Sequence, residues 1–240
     1  MDFKPPTAPH AVAPPVFACL SLNRSDRIRL IHFPPEAVQW VKGAILESKW
    51  SGGIQSTQVY AGNSYEFKLS GYPWDGNGSD ATTSRRLMLC ILRTLKMHGF
   101  HLVTATDMSR SEYDKDTLIF RLLEPSPVPP NMFSISLNTS DKLRLIDAPP
   151  ELDVVVSECI TKHWYEGLQR VQPYGPGCTE FKLRGYPWSG ESSDAVRARL
   201  FVMNLLSVLE ANGWRLYASI DMSTGDADKD SWFFEAIASP

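Results

Sequence analysis

Six polar positions recur at one spacing in this chain: Arg85 and Arg199, Asp107 and Asp221, Ser109 and Ser223, Asp114 and Asp228, Lys115 and Lys229, Asp116 and Asp230, each pair 114 residues apart. Chemistry needs polar side chains, so these come first. Asp107 and the Asp114-Lys115-Asp116 run flank one loop, which gathers carboxylates and a lysine in each copy. Hard cations such as Mg²⁺ or Ca²⁺ take carboxylate and carbonyl oxygens, but the spacing lacks the alternating acids, central glycine and closing glutamate of an EF-hand loop. The reading adopted is structural. Asp107 caps its strand, Lys115 pairs with it, Asp221 and Lys229 repeat the arrangement, and neither a metal nor a cofactor is expected.

Arg85 and Arg199 fall in the first turns of a predicted helix, where the dipole disfavours a cation. Such a placement needs a partner. An ion pair with Asp107 or Asp116 of the same unit serves, the alternative being an anion site at the helix N-terminus. Tyr72 with Trp74, and Tyr186 with Trp188, set aromatic pairs on proline-containing loops. Such rings either stack a sugar, a base or a peptide proline, or plug the end of a core. Plugging is preferred, and the test is whether each tryptophan faces core or solvent.

Nothing comparable supports catalysis. The five histidines, His10, His32, His98, His101 and His163, have no histidine at the matching position of the other copy. A Gly-x-Ser-x-Gly elbow, a His-Glu-x-x-His helix, a Walker loop and a dinucleotide glycine fingerprint are all missing from the sequence. Gly76-Asn77-Gly78 precedes a helix but lacks the lysine of a phosphate loop, so it reads as a turn.

The elements that position these residues are themselves duplicated. Glu66-Phe67-Lys68-Leu69-Ser70-Gly71-Tyr72-Pro73-Trp74 returns as Glu180-Phe181-Lys182-Leu183-Arg184-Gly185-Tyr186-Pro187-Trp188. In each, Phe and Leu alternate with Lys as in a half-buried strand. Proline cannot donate to a ladder and glycine permits a sharp turn, so the strand ends there. A long helix follows, from Asp80 to Met97 or His98 and from Ser193 or Asp194 to Asn212, with Leu87, Ile91, Leu92 and Leu95, or Phe201, Leu205, Leu206 and Leu209, on one side. Gly99 and Gly213 close these helices as C′ residues. Pro34-Pro35-Glu36 and Pro149-Pro150-Glu151 open shorter helices, the first over about Pro35 to Trp50. Alternating segments before and after complete a ββαββαββ pattern in each unit.

The chain therefore divides into a Pro-rich arm (1–15), a first repeat (16–123), a Pro-rich linker (124–131) and a second repeat (132–240). The fold expected is α+β: two mainly antiparallel sheets, each with two helices on one face, packed as an intramolecular pseudo-dimer about an approximate two-fold axis.

Composition bounds the function classes. A net charge of −3 and a pI near 6.0 give no global field for a phosphate backbone, so nucleic acid is an unlikely partner. Cys19, Cys90, Cys159 and Cys178 form no CxxC pair and no repeated pattern, which indicates reduced thiols in the cytoplasm or nucleus. The N-terminal stretch lacks the apolar core of a signal peptide, and no apolar run reaches the ~18 residues of a membrane span. Asn23, Asn77 and Asn138 stand in sequons that read as turn chemistry. The expectation is a monomeric, non-enzymatic binding or scaffold protein that meets a protein or small-molecule partner at the Tyr-Pro-Trp loops or in the inter-repeat groove. The alternative is an enzyme or small-ligand protein using the Asp/Lys/Arg cluster of one repeat.

Overall fold

The computed structural model describes residues 14–75, 80–108, 114–222 and 229–237, without the side chains of Asp114 and Lys115. The expected arm lies almost wholly outside the described residues, as do Gly76-Asn77-Gly78, Ser109, Ser223 and Asp228. The first repeat runs β1 (Phe17–Asn23), β2 (Arg27–Ile31), α1 (Ala37–Glu47), β3 (Ile54–Val59), β4 (Ser64–Leu69), α2 (Asp80–Met97), β5 (Phe100–Thr106) and β6 (Asp114–Leu122). The second runs β7 (Met132–Asn138), β8 (Lys142–Ile146), α3 (Leu152–His163), β9 (Leu168–Pro173), β10 (Cys178–Leu183), α4 (Ser192–Ala211), β11 (Trp214–Ile220) and β12 (Ser231–Ala236). Each forms a six-stranded antiparallel sheet, ordered β3-β4-β2-β1-β6-β5 and β9-β10-β8-β7-β12-β11.

Local chemistry explains these elements. The Pro34-Pro35 pair forms the turn ahead of α1 rather than its first residues: their carbonyls accept from Ala37 and Val38, and the helix starts at Ala37. Gly99 ends α2 with φ +86°, and a Cβ there would stand 2.4 Å from Leu123 O. Only glycine fits both constraints. The Gly-Tyr-Pro-Trp turn is stapled to the β1–β2 hairpin: Trp74 N donates to Ser25 O at 3.0 Å and its indole to Arg27 O at 3.1 Å. Trp188 repeats this on Ser140 O at 3.0 Å and Lys142 O at 2.8 Å.

The two repeats meet differently from the expected two-fold. In each sheet the strand residues Leu20, Leu22, Phe67 and Phe120, or Ile135, Leu137, Phe181 and Phe234, face that repeat's own helix pair. But α2 has a second partner. It packs against β7 and β8 on the helix-free face of the second sheet, and Met132, Ala218, Ile220, Met222 and Phe233 join the first repeat's core. The edge strands β5 and β11 run side by side, with Leu102 N donating to the Tyr217 phenol Oη at 2.9 Å. A two-fold would demand that α4 pack on β1 and β2 in return, whereas its main contacts are with α3 and β11. The units are stacked in one direction as sheet, helix pair, sheet, helix pair. The inter-repeat groove expected from sequence is thus a packed junction.

Charges clamp that junction. Arg86 holds Asp147 through two nitrogens at 2.7–2.9 Å and Pro176 O at 2.6 Å; Arg93 donates to Met132 O; Lys96 pairs with Glu235. The single apolar side expected of α2 is therefore incomplete. Leu89 and Cys90, off the predicted stripe, are buried as well.

A second duplicated polar group sits on the helix-free face of each sheet. Glu66 is 1% exposed and accepts from Arg27 at 2.6 Å, Arg29 at 2.8 Å and Gln58 at 3.0 Å. Glu180 is buried with Arg144 at 2.7 Å and Gln172 at 3.0 Å. Tyr60 and Tyr174 stack on Arg29 and Arg144. Burial opposes ionisation of Glu66, but the hydrogen bonds from Arg29 and Gln58 and the charges of Arg27 and Arg29 outweigh it and lower its pKa. Arg144 is buried, whereas Arg27 and Arg29 keep about a fifth of their side-chain surface in water. Removing the carboxylate should therefore cost more in the second repeat. Denaturant unfolding should show Glu180→Gln destabilised by about 3–5 kcal/mol, as for a broken buried pair, and Glu66→Gln by about 1–3 kcal/mol, as for lost charged hydrogen bonds. Equal losses would contradict this account.

Candidate functional site

The stacking makes equivalent residues unequal. Trp74 is wholly buried in the first repeat's core, and Arg85 is 1% exposed. Arg85 Nε donates to Ser231 Oγ at 2.9 Å and Nη1 to Ala81 O at 3.0 Å, so at least one partner comes from the other repeat rather than from the acids of its own. In the second repeat the same positions face a cavity of about 790 Å³. Pro187 and Trp188 form one wall, Arg199, Val202 and Met203 of α4 another, and Ser219, Lys229, Asp230 and Trp232 the end of the sheet.

The cavity combines flat apolar surface with charge. Trp188 is half-buried, its indole N–H spent on the Lys142 carbonyl, so what it offers the cavity is a ring. Trp232 supplies a second indole wall. Arg199 is exposed and, among the described residues, hydrogen-bonds Ala195 O at 2.8 Å, and Lys229 is exposed at the rim. Asp230 is tied to Ser219 Oγ at 2.7 Å. Sequence reasoning singled out Trp188, Arg199 and Lys229, but as a core plug and ion-pair members rather than as the lining of one cavity. It did not find Met203, Trp232 or Ser219, whose counterparts Leu89, Leu118 and Ala105 differ in type.

The remaining expected residues disperse. Tyr72 and Tyr186 are well exposed, and neither lines this cavity. Asp107 is exposed and Asp221 half-buried. Lys115 belongs to β6, but its side chain lies outside the described residues, so its pairing with Asp107 does too. Instead, Asp221 engages the other repeat: its amide donates to Asp116 Oδ2 at 2.8 Å. Among the described residues no three acidic, histidine or cysteine side chains are placed to hold a metal ion, and no helix is long and apolar enough to cross a membrane. Cys90, Cys159 and Cys178 are buried free thiols whose pKa burial raises, to about 11 for the first two. That makes them inert packing groups rather than nucleophiles. The role of Glu66 and Glu180 went unread because each sits inside an apparently ordinary strand, yet both copies hold Arg29/Arg144, Gln58/Gln172 and Tyr60/Tyr174 around them.

The architecture is that of a tandem α+β stack. One family model matches the chain twice, over residues 16–121 and 131–235, and the chain belongs to that domain family with two copies in series. No curated protein and no solved structure matches it.

Among the described residues Asp116 is the carboxylate whose pKa is raised most. Burial, aided by the nearby charges of Asp221, Asp230 and Asp107, pushes its pKa up to about 6 against the lowering effect of the Asp221 amide. Between about pH 4 and pH 6 the folded chain holds a proton that the unfolded chain has released. Stability from this group is therefore greatest below about pH 4 and is lost as pH rises to 6. Asp116→Asn keeps the acceptor without the charge. Its stability relative to the parent protein should rise by up to about 2–3 kcal/mol between pH 4 and pH 7 and then level off, as read by denaturant unfolding at each pH. A difference that does not vary with pH would refute the assignment.

Proposed function

We propose that this is a non-enzymatic protein-binding module, and that its working surface is the mouth of the second repeat together with the outer side of α4. The carrying observation is what fills the corresponding place in the first repeat. There the outer side of α2 is covered by a protein surface, the helix-free face of the second sheet, and Leu89 is fully buried while its counterpart Met203 is 58% exposed. The same kind of helix, on the same kind of domain, is left uncovered by the described residues at the end of the stack. Val196, Leu200 and Met203 form its apolar stripe, spaced as residues on one helix face are. Exposed apolar stripes beside cationic rims are typical of protein contact sites.

Buried reduced thiols support a cytoplasmic or nuclear setting for this activity. A small-ligand or catalytic role for Arg199, Lys229 and Asp230 has less behind it, because Asp230 is already tied to Ser219 and, among the described residues, the cavity lining holds no histidine or cysteine to act with them. A photo-crosslinking residue at position 203 decides between them in cells. It should yield covalent protein adducts that the same residue at exposed Glu158 on α3 does not. Absence of protein adducts at 203, or full protection by a small metabolite, would overturn the proposal.

A further inference from the structure

The open face of α4 has a matching open face at the other end of the same molecule. The second sheet meets α2 with the face that carries Met132, Phe233 and Glu235. In the first sheet the corresponding residues are Phe17, Ile119 and Arg121, at the same positions in the β1–β6 pairing: Phe17 opposite Arg121 and Cys19 opposite Ile119, as Met132 is opposite Glu235 and Ser134 opposite Phe233. Among the described residues no helix packs on that face, and Phe17, Val103 and Met108 are exposed on or beside it.

The charges at the two ends have been exchanged. Within the molecule, Lys96 on α2 pairs with Glu235 on β12. The position of Lys96 in α4 is Glu210, and the position of Glu235 in β6 is Arg121. Both are exposed. A helix end of opposite sign therefore awaits a sheet of opposite sign, in the place where the internal junction puts its own ion pair. At the position of Arg86 stands Leu200, and at that of Asp147 stands His32, so the second ion pair of the internal junction is also given up on both sides together.

Resting on the protein-binding reading above, we infer that the partner is a second copy of this chain, docked so that α4 of one copy packs on the helix-free face of the first sheet of the next. The contact repeats the internal junction with Glu210 and Arg121 in place of Lys96 and Glu235. Because the two surfaces differ, the contact is heterologous and continues as a chain of copies or closes as a ring. It also brings Thr117 of one copy to the cavity of the other, as Ser231 meets Arg85 in the first repeat.

Sedimentation velocity of the full chain between about 1 µM and about 1 mM, the range where weak complexes form, tests this. The expected result is a mass that rises with concentration past the dimer. Glu210→Lys or Arg121→Glu alone should weaken association by about tenfold or more, while the double variant carrying both should regain it. Circular dichroism checks that each variant is folded. A monomer throughout the range, or association indifferent to the three variants, overturns the inference. Association appearing only after removal of residues 1–13 also overturns it, because that segment and not a second copy would then be the occupant. If the chain stays monomeric while position 203 still captures another protein, the binding-module proposal stands and self-docking alone falls. If position 203 captures nothing and the chain is monomeric, both fall.

Discussion

A helix buried on two sides has to satisfy two surfaces with one sequence, and α2 carries that constraint for the whole molecule. Its inward stripe of Leu87, Ile91 and Leu95 fills the first repeat's core. Its outward stripe of Arg86, Leu89, Arg93 and Lys96 holds the second repeat in place. Fully burying one leucine is worth about 1.5–3 kcal/mol, while Arg86 and Lys96 fix register through directed pairs that would be costly to leave unmet. The apolar contacts supply most of the attraction and the ion pairs select the orientation.

From this follows the asymmetry between two copies that share a fold. In the first repeat Pro73, Trp74 and Arg85 are buried. The second repeat's equivalents are open to a cavity. In both copies the Trp indole is bonded to the β1–β2 or β7–β8 hairpin backbone, so its basic role is to fasten a strand end to a turn. Contact with a partner is available only where nothing has been stacked above it. The same logic applies to the carboxylates. Asp116 lies against the Asp221 amide at the junction, and burial there raises its pKa to about 6.

The buried Glu66 and Glu180 groups show how each sheet keeps a polar group in order on the face turned away from its own helices. Each carboxylate gathers an arginine and a glutamine across adjacent strands. On the first sheet this network faces the open side and partly meets water. On the second, the shielding of Arg144 leaves it much drier. A single motif thus stands in two dielectric environments.

What the sequence determined alone was the repeat and its contents. Local rules sufficed: strand alternation at Phe67 and Leu69, the stop at Pro73, the 3.6-residue spacing of Leu87, Ile91 and Leu95, and the C′ glycine at Gly99 each act over a few residues. A comparison of the two copies also singled out Trp188, Arg199 and Lys229. Local rules could not say which face of α2 meets the second sheet, that the stack runs in one direction, or that Trp74 is covered while Trp188 is only half-buried. Those depend on contacts between residues more than a hundred positions apart, such as Arg85 with Ser231 and Lys96 with Glu235. Read along the chain, Lys96 and Glu210 are two ordinary surface charges at the end of amphipathic helices. Only the packing of one against a sheet, with the other left facing solvent, gives their difference in sign a meaning.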